Sequence, residues 1–234
     1  MPILTPTKDT GGVTKAMRGV YAELDRYVDD ESLAAAMAET GLNNAFLADL
    51  LSAVLTHERC GTHLYRSVEG RTNNPVLKAK YREFGSETER HVELVETLVA
   101  AGGGNPSYLS PLARAVEGTD SKILESTFML RGSLDLAAAE MAMLDAVALA
   151  ESMDRANWQL MAKVTEQLPE GTMSTRDQFQ AAVDEVVPQE DDHFMWALTT
   201  KERLTMLQLS STMAASLTDK AEQLMARVQN WLAE

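Results

Sequence analysis

The chain has a single cysteine, Cys60, among 234 residues. One thiol excludes an intramolecular disulfide framework and fits a reducing compartment. Aromatic residues make up only 6% and β-branched residues are sparse, so little of the material that favours strands is present. Long apolar runs are missing too. Asp135, Glu140, Asp145 and Glu151 punctuate the most apolar region, well short of the ~20 residues a membrane span needs. The opening MPILTPTKDTGG lacks the basic-then-apolar pattern of a secretory signal. Basic residues number 21 against 35 acidic ones, and the net charge of −14 argues against nucleic acid or an anionic membrane as a partner. A cytoplasmic protein is expected. No Gly-rich loop precedes a helix to cradle phosphate, no CxxC pair accompanies Cys60, and no Ser-His-acid arrangement stands out.

What is present points to helices. Hydrophobic residues make up 45%, and Leu, Ala, Met, Glu and Val dominate, which favours an all-α chain with a sizeable core in one domain. Thirteen Met suit irregular seams between helices. Residues 1–11 read as an irregular arm, and 13–28 and 29–41 as short helices packed outside the main body. A first long helix is expected over 44–69 and a second from Asn74-Pro75 to 101, where three glycines and Pro106 end it. Residues 102–120 read as a loop with a short apolar piece at 109–116. A third helix is expected from Asp120-Ser121 to about 153, with a break at Gly132-Ser133, and a shorter one over 155–167. The fourth long helix begins at Ser174 or Thr175 and contains Pro188, which should kink it or leave a bulge. A last amphipathic segment, 213–232, continues it or folds back.

Each long helix has an apolar stripe interrupted near its middle by groups that bind hard or borderline metals. On the fourth, Val183, Val186, Glu190, His193, Ala197 and Leu204 share one face. Glu190 and His193, three apart, point the same way. On the first, Leu51, Glu58 and Tyr65 occupy one heptad position. On the second, His91 lies on the core face with Thr88 three before it, and Glu87, four before it, can substitute geometrically for an acid there. On the third, Glu140 lies within LAAAEMAML, the least polar setting of any acid in the chain. A buried carboxylate needs a metal, a proton or a basic partner. Of the four histidines, His91 and His193 lie on core stripes, while His57 and His63 read as surface or supporting groups.

Two similar halves of this kind resemble the ferritin-like superfamily of di-iron and di-manganese carboxylate proteins, over about 44–209. The resemblance implies a ferritin-like four-helix bundle with additional N-terminal and C-terminal helices, in one domain over 1–234: an arm and short helices at 1–42, the bundle at 43–209 and a C-terminal helix at 210–234. Glu58 followed by Tyr65 is similar to the first-helix Glu and Tyr of ferritins and bacterioferritins. ETERHVELVETL looks like the second-helix motif, with Thr88 at the expected acid. Glu140 matches the third-helix Glu, and Glu190 with His193 the fourth-helix pair. The longer connection between third and fourth helices and the N-terminal arm differ from a cage subunit.

By that resemblance the metal ligands are Glu58, Glu87, His91, Glu140, Glu190 and His193, holding two iron or manganese ions. Glu58 and Glu190 or Glu140 would bridge them, and His91 and His193 take terminal positions. Tyr65 would supply an electron, against the plainer role of packing and one hydrogen bond. The implied partners are metal ions with O2 or H2O2, and a homodimer or larger oligomer is compatible. Ferroxidase or peroxide-consuming activity is one expectation. Oxidation of an organic substrate at the same site is another, and a non-catalytic scaffold or cargo protein with a degenerate site is the third.

Overall fold

The computed structural model describes residues 3–4, 27–28, 43–129, 136–168 and 173–210. The described chain is all-α apart from one two-residue antiparallel pairing of Ile3–Leu4 with Tyr27–Val28. That pairing stands where the last two residues of a helix over 13–28 were expected; the rest of that helix, the one over 29–41 and the segment 213–232 lie outside the described residues. Five helices follow: α1 (Asn44–Arg71), α2 (Pro75–Ala101), α3 (Pro111–Ser126), α4 (Leu136–Glu166) and α5 (Met173–Ser210). No helix of the described residues is long and apolar enough to cross a membrane.

Local chemistry sets several of these boundaries. The Asn43 side chain accepts the Phe46 N–H at the start of α1, and Asn74 accepts those of Val76 and Leu77 with Pro75 in the first turn of α2. The helix over 111–126 replaces the loop expected there. Ser110 accepts the Ala113 N–H and Pro111 opens the first turn, the same start signal that Asn74-Pro75 provides. The third long helix begins at Leu136 and runs without a stop through Glu166, absorbing the separate short helix expected at 155–167. α5 is one uninterrupted helix through Pro188. Pro188 and Asp184, whose carbonyl loses its N–H partner, are both exposed, so water can satisfy that carbonyl.

α1 packs on α2 and α4 on α5, each pair joined by a short connection; α2 meets α5, α1 meets α4, and α3 lies against α1 and α4. The interior has two apolar clusters. One takes Leu64 and Val68 from α1, Leu77 and Phe84 from α2, Leu144 and Val147 from α4, and Ala197 and Leu204 from α5. The other takes Leu51 and Leu55, Val95 and Leu98, Trp158 and Met161, and Phe179 and Val186 from the same four helices. Passing from one cluster to the other, α1 and α5 run one way and α2 and α4 the opposite way, so every packed pair of long helices is antiparallel. Between the clusters, each long helix has a polar residue where the stripe should be apolar. Leu144→Ala, at a fully buried position, should cost about 2–5 kcal/mol in denaturant unfolding. Leu149→Ala, at an exposed one, should stay within about 0.5 kcal/mol.

Candidate metal centre

Glu58 and Glu151 sit at the midpoints of α1 and α4, with His91 on α2 and Glu190 and His193 on α5 beside them. All five are at most 3% exposed. Their donor atoms form two groups of three. Glu58, His91 and Glu190 each bring one atom within 4.8 Å of the others, and so do Glu151, Glu190 and His193. Glu190 belongs to both groups.

The atoms that converge have no other work. His91 Nδ1 lies 2.9 Å from Glu190 Oε1 and 3.6 Å from Glu58 Oε2. His193 Nδ1 lies 3.3 Å from Glu151 Oε2 and 3.8 Å from Glu190 Oε1. None of these approaches has hydrogen-bond geometry. Both Nδ1 atoms, Glu58 Oε2, Glu151 Oε2 and both oxygens of Glu190 are buried without a hydrogen-bond partner. Leaving such an atom unpaired costs on the order of 1–3 kcal/mol, and six meet in one small volume. A carboxylate and imidazole donor set suits iron or manganese, so the residues present fit a metal pair.

The remaining atoms of the same side chains are all engaged, and this fixes which atom faces inward. His91 Nε2 donates to Gln189 Oε1 at 2.8 Å, and His193 Nε2 donates to Glu87 Oε2 at 2.6 Å. Held there, each imidazole turns Nδ1 to the centre. Trp158 Nε1 donates to Glu58 Oε1 at 2.6 Å, and the Tyr65 hydroxyl donates to Glu151 Oε1 at 2.7 Å. These two caps are reciprocal. Tyr65 is seven residues after Glu58 on α1 and caps the acid of α4; Trp158 is seven after Glu151 on α4 and caps the acid of α1. Each terminal carboxylate therefore offers one oxygen, whereas Glu190 offers two.

Several expectations need correcting. Glu140 is not at the centre: it accepts from the Thr72 hydroxyl at 2.6 Å and the Asn73 N–H at 3.3 Å, bracing the turn between α1 and α2. Glu151, on the same face eleven residues on, stands in its place, about 16 Å along the helix axis. Glu87 joins the cluster through its bond to His193 of α5, not beside His91 on its own helix. Thr88 is buried and its hydroxyl returns to the Phe84 carbonyl. Tyr65 is buried against the cluster as a hydrogen-bond donor, its ring centroid 6.2 Å from that of His193. His63 is exposed, as expected of a surface group. His57, only 2% exposed, places Nδ1 2.8 Å from Asp120 Oδ2 and Nε2 3.0 Å from the Ala150 carbonyl. Two acceptors require two donors, so the ring is an imidazolium.

Titration follows from this crowding. Burial, then the charges of Asp154, Glu151 and Glu58, push Glu190 well above the usual carboxylate range. Burial and the neighbouring Glu58 do the same to Asp154. Burial would raise Glu151 as well, but His193 and the Tyr65 hydroxyl outweigh it and hold Glu151 low. Burial would lower His57, yet the charge of Asp154 and the bond to Asp120 push it up to about 10. His193 is likewise raised, by Glu151 and Glu87 against burial. Burial next to Glu151 keeps Tyr65 protonated.

No family model, curated protein or solved structure matches the chain.

For metal-free protein above about pH 5 the signs of the raised groups agree, and Glu151, held low, acts only below its unfolded value near 4.5. Acids with raised folded-state pKa values lose stability as pH climbs past their unfolded values, and histidines with raised values lose theirs above the unfolded value near 6.5. The metal-free melting temperature should therefore fall by several degrees from about pH 5 to about pH 8. A rise over that range in a calorimetric series would contradict these assignments.

Proposed function

We propose that the chain is a ferritin-like four-helix-bundle metalloprotein that holds two iron or manganese ions and reacts with O2 or hydrogen peroxide. The observation that carries this reading is the set of six buried, unpartnered donor atoms on four helices, with Glu190 common to both halves. A Glu-x-x-His pair facing inward in a bundle, met by acids from the other helices, is the arrangement in which carboxylates share two ions.

In this reading Glu58 and His91 would hold one ion and Glu151 and His193 the other, with Glu190, which belongs to both groups, serving both. A bound iron or manganese pair supplies the electron transfer and Lewis acidity needed to reduce O2 or hydrogen peroxide. The chain's own part is to orient and enclose. Gln189 and Glu87 hold the imidazoles by Nε2 so that Nδ1 faces the centre, Trp158 and Tyr65 turn one oxygen of each terminal acid inward, and the two apolar clusters keep water from the layer. Tyr65 and Trp158 are each one hydrogen bond away from a ligand.

Protein purified from iron- or manganese-supplemented growth should carry about two ions per chain by elemental analysis. Glu190→Gln should remove both, His193→Ala or Glu58→Ala at least one, and Glu140→Gln neither. Near-zero content in wild type and variants alike would favour a scaffold that has kept a polar layer without its metals.

A further inference from the structure

We infer that the two halves of this centre are unequal: the half of Glu151 and His193 takes its ion first and more tightly, because a carboxylate, Glu87, stands behind His193 where an amide, Gln189, stands behind His91. Glu87 is then a positioning residue that acts through His193. The inference rests on the two-ion reading above.

The difference lies at one matched pair of positions. Glu87 is four residues before His91 on α2, and Gln189 is four residues before His193 on α5. Each reaches across to the histidine of the other helix. Glu87 Oε2 is 2.6 Å from His193 Nε2, and Gln189 Oε1 is 2.8 Å from His91 Nε2. One contact is therefore made twice, once with a charged acceptor and once with a neutral one.

The halves are otherwise closely matched. Both histidines and both terminal acids are buried. Each terminal acid has one neutral cap, the Trp158 N–H on Glu58 and the Tyr65 hydroxyl on Glu151. Glu190 belongs to both groups. Asp154 does not restore the balance on the other side. Its strongest charged neighbours are Glu58 and the His57 imidazolium, so its charge meets a cation there and does not back His91.

Hydrogen-bond chemistry gives the inequality its direction. An imidazole that donates Nε2–H to a carboxylate is a more basic ligand at Nδ1 than one that donates to an amide carbonyl, because the charged acceptor makes the stronger bond. Partners of this kind change metal affinity about 10- to 100-fold. The Glu87 side chain is 33% exposed, so it brings negative charge to the edge of the layer without the cost of full burial.

Mn(II) binding to metal-free wild type, Glu87→Gln and Gln189→Glu tests this, followed by electron paramagnetic resonance of the free ion and by anomalous diffraction from crystals given one equivalent of Mn(II). Wild type should bind in two steps at least ~10-fold apart, with the one-equivalent peak among Glu151, Glu190 and His193. Glu87→Gln should weaken the first step and bring the two together. Gln189→Glu should tighten the second step, a gain that a merely structural role for either side chain would not produce. Two equal steps in wild type, a one-equivalent peak on the Glu58 and His91 side, or steps unchanged in both variants would overturn the inference and leave the two-ion reading standing. Wild type that binds no Mn(II) would overturn both. Should Glu87→Gln fail to fold, the wild-type peak and Gln189→Glu decide the question.

Discussion

A layer of carboxylates and imidazoles across the middle of an apolar interior is the constraint on which this structure turns. Glu58, His91, Glu151, Glu190 and His193 are each held at 3% exposure or less, between clusters built from Leu, Val, Ala and aromatic side chains of the same four helices. Burying ionised groups without compensation costs several kcal/mol apiece. Two antiparallel hairpins that shared only apolar surface would be more stable without these residues. Their presence at matching heights on four helices is what the proposed metal centre accounts for.

The surroundings of the layer are arranged to leave certain atoms free. Every hydrogen bond made by its members uses the atom that faces away from the centre: Nε2 of each imidazole, Oε1 of each terminal acid. The caps come from opposite hairpins, Tyr65 of α1 to the acid of α4 and Trp158 of α4 to the acid of α1. Neutral O–H and N–H donors steady a carboxylate without cancelling its charge. The same bonds tie the α1–α2 hairpin to the α4–α5 hairpin, so the orientation of the donors and the docking of the two halves share one set of contacts.

Much of this was legible in the sequence, because burial imposes periodicity. The stripes through Leu51, Glu58 and Tyr65 and through Val186, Glu190, His193 and Ala197 put a polar residue where an apolar one was due, and those residues are in the cluster. The third long helix differs from its sequence pattern for a physical reason. With its end set near residue 153, Glu140 looked central and Glu151 terminal. The observed helix is centred on Glu151, which continues the Val147 stripe toward Trp158 and Met161. Glu140 has an apolar local sequence yet meets the Thr72–Asn73 turn, a contact between segments far apart in the chain that no window reveals. The bond from His193 to Glu87 and the burial of His57 beside Asp120 are likewise products of tertiary packing. The Ser110-Pro111 helix start is a local signal, although the surrounding residues 102–120 read as a loop.

The most direct measurement is anomalous X-ray diffraction from crystals of the protein loaded with Mn(II) or Fe(II). The account predicts two anomalous peaks, one among Glu58, His91 and Glu190 and the other among Glu151, Glu190 and His193, with Glu190 touching both. Well-diffracting crystals whose cluster shows no anomalous density, or whose only peaks lie on the acidic surface, would contradict it.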